Sequence, residues 1–253
     1  MFRLVASLLL CAAATAAQPS LGPPSLGCLR DEQNRLRPVL GVAANFMVGE
    51  PWQAGVVAAA CSGRFALVKL SGALLLLDES GLPLARWDAP AGPALFAFAA
   101  GGDPSLVWFP RAAALYRWRG GLIEPVAVQA DALGPDVTAI APAAGDRMMA
   151  IMSGPDGLWL RSISLATGQV EWEERVHPRA APALLRPDGT LLLLDNAELV
   201  VRGGDSAERR IPLPFPASAL EPLGEEWVAV GRVLALRLRD QGAEIYRLPE
   251  VGP

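Results

Sequence analysis

The sequence predicts an all-β fold, a β-propeller of five or six four-stranded blades. Short apolar strands recur along the chain, and the third strand of successive repeats begins at residues 73, 114, 158, 198 and 233. The repeat is therefore about forty residues long, which is typical of propeller blades with four short strands each. No window keeps apolar residues at helical spacing for long without a proline or glycine.

Five consecutive groups of four strands are predicted, lettered a to d from ring centre to rim. The first lies at residues 55–61, 65–70, 73–78 and 83–87, and the second at 95–99, 105–109, 114–118 and 123–128. The third lies at 137–141, 148–152, 158–165 and 170–174. The fourth lies at 182–185, 190–194, 198–202 and 210–213, and the last at 219–223, 227–230, 233–238 and 244–248.

Turn composition supports this division. Every connection between a c strand and a d strand contains glycine, at residues 78–81, 120–121, 166–169, 203–205 and 240–242. Glycine adopts the left-handed conformations that tight turns need. The unbroken apolar runs 74–77 and 191–194 fit strands that neighbouring blades cover on both faces.

One hairpin precedes the five groups. Residues 26–30 and 36–42 are predicted as strands joined by the polar segment 31–35, and they resemble a c to d hairpin. A closed ring has no open sheet edge, and rings often close by completing one blade with strands from both termini. The last group already has four strands. The hairpin therefore forms either a reduced sixth blade or a cap on a five-bladed ring.

The N-terminus has the layout of a secretory signal peptide. Arg3 precedes an apolar core from Leu4 to Ala14, and small residues follow up to Ala17, with cleavage expected after Ala16 or Ala17. The rival transmembrane anchor would need about 20 apolar residues, and lipidation of Cys11 would need a small residue where Leu10 stands. We predict a signal peptide over 1–17, a linker over 18–25, a propeller over 26–249 and a tail over 250–253. The mature protein is then periplasmic or secreted.

Composition limits the partners. The chain has 253 residues, 52% of them hydrophobic, and a formal net charge of −4 that becomes more negative once Arg3 is removed. It contains no basic run to follow a phosphate backbone, so nucleic acid is not expected as a partner. No later segment predicts membrane insertion of the mature chain. A protein or glycan ligand on a ring face is expected instead.

Cys28 and Cys61 are the cysteines that remain after processing. In an oxidising compartment two thiols of a small domain can pair. Cys28 lies in the first strand after the linker, and Cys61 ends an inner strand that a closed ring could bring beside it. The alternative is two separate buried cysteines that pack as small hydrophobic residues.

Residues 162–172, read as SISLATGQVEW, resemble the tryptophan-docking repeat of quinoprotein-like propellers. Thr167, Gly168 and Trp172 match that pattern in identity and spacing, while serines replace its alanine and aspartate. The turn Pro187-Asp188-Gly189 is similar to one common in WD-repeat and lactonase-like propellers. The resemblance implies that Trp172 is largely buried against an adjacent blade. It does not extend to the quinone cofactor of the family's enzymes, since the ring here is short, and we predict no cofactor.

Residues able to support catalysis are few. His177 is the single histidine, and we expect it to be a solvated loop residue. The aspartates at 78, 103, 136, 156, 188 and 195 lie in or beside turns, which favours turn formation over a calcium site at the ring mouth. The seven tryptophans, at 52, 87, 108, 118, 159, 172 and 227, mostly fall on strands and are expected to pack between blades.

These observations favour an exported, non-catalytic binding or assembly module with no catalytic, cofactor or metal residues. The alternative is a propeller enzyme of lactonase or glycan-processing type, which would use carboxylates at the ring mouth and depend on calcium. One propeller scaffold hosts unrelated activities, so the fold does not choose between them.

Overall fold

The computed structural model describes residues 23–119, 121–129, 131–203, 208–224, 226–231, 233–239 and 242–249. The predicted signal peptide, the first residues of the predicted linker and the predicted tail lie outside this part of the chain. The described residues form twenty-three β-strands arranged in six antiparallel sheets. Each sheet is one blade, so the prediction of an all-β propeller is confirmed, with six blades.

Blade 1 has three strands, β1 (Ser25–Arg30), β2 (Leu36–Val42) and β3 (Asn45–Val48), and the other blades have four. Blade 2 has β4 (Ala58–Cys61), β5 (Phe65–Lys69), β6 (Ala73–Asp78) and β7 (Pro83–Asp88). Blade 3 has β8 (Leu95–Phe98), β9 (Pro104–Phe109), β10 (Ala114–Arg119) and β11 (Leu122–Val126).

Blade 4 has β12 (Val137–Ala143), β13 (Arg147–Gly154), β14 (Gly157–Ser164) and β15 (Val170–His177). Blade 5 has β16 (Ala183–Leu185), β17 (Leu191–Asp195), β18 (Glu198–Arg202) and β19 (Arg209–Pro212). Blade 6 has β20 (Leu220–Pro222), β21 (Trp227–Val230), β22 (Leu234–Arg239) and β23 (Gly242–Arg247). The predicted strands of the five groups are all present as blades 2 to 6.

The ring is held together by apolar packing between blades. The buried residues of the described chain form six clusters, and each cluster joins two neighbouring blades. Blades 3 and 4, for example, share a cluster that contains Trp108, Leu115, Ile140 and Met148. The last cluster joins blade 6 to blade 1, where Trp227 packs with Leu29 and Phe46. The ring is therefore closed.

Of the two arrangements expected for the N-terminal hairpin, the structure shows the reduced sixth blade, the three-stranded blade 1. The likeness of this hairpin to a c to d pair was wrong. β1 and β2 are the two inner strands of blade 1, not an outer c to d pair, and the unpredicted strand β3 follows them. Strand β3 is too short and too polar at Asn45 to produce a clear alternating pattern. Every strand of blade 1 comes from the N-terminal part of the described chain, so side-chain packing closes the ring rather than a shared blade.

Two glycines permit the close approach of blades 6 and 1. A Cβ atom added to Gly27, whose φ is +143°, would lie 0.9 Å from the Leu223 carbonyl oxygen. A Cβ atom on Gly224 would lie 2.2 Å from the Leu26 carbonyl oxygen. The two backbones therefore touch directly at this junction, and a larger residue would push them apart.

Arginines bridge several junctions between blades. Arg30 of blade 1 donates to the Val57 carbonyl beside blade 2, at 2.5 Å. Arg117 of blade 3 lies 3.1 Å from the Asp146 carboxylate of blade 4. Arginine suits such contacts because its planar guanidinium carries several fixed donors.

In the part of the chain described, the one helix is the 3-10 turn Pro110–Ala112, and no helix reaches the length and apolar character that crossing a membrane requires.

Candidate functional site

A cavity of about 230 Å³ lies on the axis of the ring. Its wall is built mainly from strands β4, β8, β12 and β16, the first strands of blades 2 to 5. Blade 6 contributes Leu220, Pro222, Gly224, Trp227 and Val228. Each of these first strands pairs with one neighbour in its sheet, so its other edge faces the axis. This arrangement follows from the fold, because the inner strand of every blade runs beside the channel.

The cavity wall is predominantly apolar. Six alanines on the inner strands leave the central space open, namely Ala59, Ala60, Ala97, Ala139, Ala141 and Ala183. Larger apolar side chains complete the wall, namely Phe96, Phe98, Ile140, Leu184, Leu220 and Trp227. Because alanine carries the smallest apolar side chain, its recurrence on the inner strands is a sequence signal for this site, although it does not place these strands around one axis.

The side-chain polar groups on the wall already have partners within the protein. The Ser62 hydroxyl accepts hydrogen bonds from the backbone N–H groups of Arg64 and Phe65, at 3.2 and 3.0 Å. The Thr138 hydroxyl donates to the Ile151 carbonyl at 3.4 Å. Arg186 also has an interaction partner. The wall residues of the described chain include no aspartate or glutamate.

The a to b turns surround one mouth of the cavity, because Ser62, Ala99 and Pro187 follow the ends of inner strands and line it. Opposite charges pair across neighbouring turns there. Arg64 and Asp103 form an exposed ion pair at 3.0 Å that joins the turns of blades 2 and 3. The mouth therefore presents charged groups of both signs around an apolar interior.

Two of the aspartates considered for a calcium site are engaged in their own turns. Asp78 accepts hydrogen bonds from the backbone of Ser80 and Leu82, both at 2.9 Å. Asp188 accepts one from Thr190 at 2.9 Å. These two residues therefore stabilise their own turns. In the described ranges, no three or more histidine, cysteine, aspartate or glutamate side chains are grouped so that they could hold a metal ion.

His177 is not the solvated loop residue that the sequence predicted. It is the last residue of β15, and its side chain is 12% exposed. One ring nitrogen, Nδ1, lies 2.9 Å from the Arg179 carbonyl oxygen, and Nε2 lies 3.8 Å from the Asp195 carboxylate of blade 5. The extension of β15 to eight residues carries the histidine into the junction between blades 4 and 5.

Two buried ionisable residues, Asp31 and Lys69, were not identified from the sequence, and neither lines the cavity. Asp31 is 5% exposed and accepts bonds from Arg35 Nε at 2.7 Å and Arg37 Nε at 2.8 Å. Burial alone would raise the pKa of its carboxyl, but hydrogen bonds from Arg37 and Arg35 lower that pKa to about 2. Burial lowers the pKa of Lys69, which is fully buried and donates to the Leu70 and Ser71 carbonyls.

Part of the motif that resembles the docking repeat contacts the neighbouring blade 3. Gly168 has a φ of +69°, and its carbonyl accepts a bond from Gln129 after the last strand of blade 3, at 3.0 Å. Thr167 supports the turn with a weak bond to the Gln169 N–H, at 3.4 Å. The glycine turn therefore contacts the neighbouring blade.

The prediction that Trp172 is largely buried against an adjacent blade was wrong. Trp172 lies on β15, the outermost strand of blade 4, and is 41% exposed. The register between β14 and β15 shifts between Ser162 and Ile163, so that Val170 pairs with Ile163 but Trp172 pairs with Ser162. This β-bulge breaks the two-residue alternation and turns Trp172 away from the face on which Val170 packs. Among the other tryptophans, Trp108 and Trp227 are buried between blades as expected.

Cys28 and Cys61 meet at the junction of blades 1 and 2, where both are buried. The structure joins them as a disulfide with a Cα–Cα distance of 5.8 Å, which lies within the usual range for a bridged pair. Cys61 also lines the cavity. Oxidation of the pair in the mature protein stays a prediction.

No family model matches this chain, and a comparison with curated proteins finds no match. Among solved structures, the chain is similar to the WD40 β-propeller domain of Doa1, with 12% identity, a TM-score of 0.47, and coverage of 80% of this chain and 73% of that one. It is also similar to hydrazine synthase from Kuenenia stuttgartiensis, with 14% identity, a TM-score of 0.49, and coverage of 88% and 79%.

A chain of the mitotic checkpoint complex is similar with 12% identity, a TM-score of 0.47, and coverage of 96% of this chain and 87% of that one. Sequence identities and TM-scores this low support no argument about function. The propeller assignment therefore rests on the strand pairing and the packing between blades described above.

Proposed function

We propose that this chain is an exported, non-catalytic binding module whose ligand docks at the mouth of the central cavity. The observation that carries the proposal is the cavity itself. It is an apolar space of about 230 Å³ at the point where the inner strands of five blades converge. Pockets that are mostly apolar and carry few polar groups are typical of ligand sites, and propeller loops suit recognition on a ring face.

Export is supported by the order of charged, apolar and small residues over 1–17. It is also supported by the paired geometry of Cys28 and Cys61, since disulfides persist in oxidising compartments. The binding role is supported by the wall chemistry. Alkyl and aromatic groups dominate the wall, and the Ser62 and Thr138 hydroxyls are engaged internally. Such a wall favours binding by burial of apolar surface.

Site-specific photo-crosslinking in the producing cells tests the proposal. The photoreactive residue p-benzoylphenylalanine would replace Arg64, which is exposed in the a to b turn that follows the wall residue Ser62. As a control, it would replace Leu122, which is exposed at the start of the outermost strand of blade 3. We expect a discrete adduct from position 64 that is absent from position 122. Equal labelling at both positions, or no adduct from position 64, would contradict a binding role for the mouth.

A further inference from the structure

We infer that the central cavity binds one small uncharged molecule, aromatic or branched aliphatic, of about nine non-hydrogen atoms. The inference rests on the proposed function, because it names the chemistry of the ligand that the same site takes up. Neither the sequence motif nor the solved structures suggest this ligand. The volume of the cavity, the chemistry of its wall and the polar groups at the strand edges each limit which ligand can bind.

The volume sets the size of the ligand. A cavity of roughly 150 Å³ lined by leucine, isoleucine and phenylalanine binds benzene, which has six non-hydrogen atoms. The cavity here is about 230 Å³ and has a similar wall. If the number of non-hydrogen atoms scales with the cavity volume, the cavity has room for a molecule the size of indole.

The wall sets the charge of the ligand. Transfer of an ion into an apolar site without a partner of opposite charge is strongly unfavourable. The described wall residues offer no carboxylate to hold a cation. The single cationic wall residue, Arg186, already has an interaction partner. A neutral molecule therefore enters with a smaller desolvation cost than an anion or a cation of the same size.

Aromatic and small residues set the shape of the ligand. Phe96, Phe98 and Trp227 supply rings to the wall, while the small side chains of the inner-strand alanines leave the central space open. Aromatic pairs gain energy in offset or edge-to-face geometry. The free edges of the inner strands supply backbone N–H and C=O groups toward the axis. These neutral dipoles suit a ligand with one N–H or O–H group.

Fluorine NMR of the mature protein labelled with 5-fluorotryptophan tests the inference. Trp227 lines the cavity and Trp172 is exposed on the rim, so their resonances serve as site and control. Spectra of Trp227→Phe and Trp172→Phe assign the two signals. Indole, benzoate and phenethylammonium have equal numbers of non-hydrogen atoms and differ in charge. We expect indole alone to shift the Trp227 signal saturably and to leave Trp172 unchanged.

A variant of the wall and a matched control outside the cavity locate the binding. Thr138 is the exposed residue of β12 on the wall, in a register shift between Val137 and Ala139. Thr138→Trp should fill part of the cavity and weaken indole binding at least about tenfold. Leu122→Trp adds the same side chain on the exposed outermost strand of blade 3, outside the cavity, and should bind indole as the parent does. Unchanged thermal melting of both variants shows that the ring remains folded.

Three results would overturn the inference: no Trp227 shift with indole, an equal shift with benzoate or phenethylammonium, or equal indole binding by folded Thr138→Trp. The crosslink from position 64 reports on the proposed function separately. An adduct there without indole binding would leave a binding module with a different ligand. Indole binding without an adduct would leave the cavity site without the proposed docking at the mouth.

Discussion

Asp31 shows how a single buried carboxylate can support a whole turn. Its folded pKa of about 2 lies below the ordinary value of 3.8. One pKa unit corresponds to about 1.4 kcal/mol, so the ionised carboxylate stabilises the folded protein by about 2 kcal/mol. Because the folded value is the lower one, this stability is fully present above about pH 4 and is lost as the pH falls toward 2.

We therefore expect Asp31→Asn to lower the free energy of unfolding by about 2 kcal/mol at pH 7, and the difference from the parent to shrink below about pH 4. Denaturant melts across this pH range measure it. Asp103→Asn is the matched control, since Asp103 belongs to an exposed pair with Arg64 and should cost less than about 1 kcal/mol. Equal losses in both variants would contradict the role assigned to Asp31.

Trp172 is the residue for which sequence and structure disagree most. Because it is 41% exposed on an outermost strand, Trp172→Ala should change the free energy of unfolding by no more than about 0.5 kcal/mol. Trp108 is 1% exposed between blades 3 and 4, and Trp108→Ala should cost about 3 to 5 kcal/mol. Denaturant melts compare the two. A loss of several kcal/mol from Trp172→Ala would restore the docking interpretation.

At the scale of elements, the c to d turn of blade 4 anchors that blade to blade 3. Gly168 has a φ of +69°, and a Cβ atom there would lie 2.3 Å from the Ala127 carbonyl oxygen. Gly168→Val should therefore destabilise the protein by about 2 kcal/mol or more. Gly63→Val is the control, because Gly63 has open space around it and no positive φ. Comparable thermal melts for the two variants would argue against the anchoring role.

The bridge between Cys28 and Cys61 ties strand β1 to strand β4 across 33 residues of sequence. A loop of this length corresponds to about 3 to 4 kcal/mol of stabilisation in the chain-entropy model. We expect mature protein from an oxidising compartment to show no free thiol before unfolding or reduction. We also expect reduction to lower its melting temperature. Two titratable thiols in the untreated, denatured protein would contradict the prediction.

At the scale of the whole molecule, the junction of blades 6 and 1 closes the ring. A Cβ atom on Gly27 would overlap the Leu223 carbonyl, whereas Gly72 has no neighbour within 4 Å. We expect Gly27→Ala to lower the melting temperature strongly and to speed amide hydrogen exchange in blades 1 and 6 before blades 3 and 4. Gly72→Ala should leave both measurements close to the parent. Uniform exchange behaviour in Gly27→Ala would contradict a local opening of this junction.

The sequence by itself determined the all-β class, the blade repeat and the strands of five blades. These properties follow from short-range signals: apolar runs of strand length and glycine in the turns between them. Even the disulfide partners Cys28 and Cys61 could be nominated, because a ring places the first strand beside the next inner strand. Alanine recurs on the inner strands, but only their convergence on one axis shows that it surrounds a cavity.

Only the tertiary structure decided which faces of the strands meet. The bulge that turns Trp172 outward depends on the register between β14 and β15, because a shift of one residue moves the side chains that follow it to the other face. Strands β1 to β3 form a separate blade because they pack against blade 6, and no local sequence pattern encodes that packing. The partners of Asp31 and the cavity on the axis likewise arise from residues brought together by turn geometry and by closure of the ring.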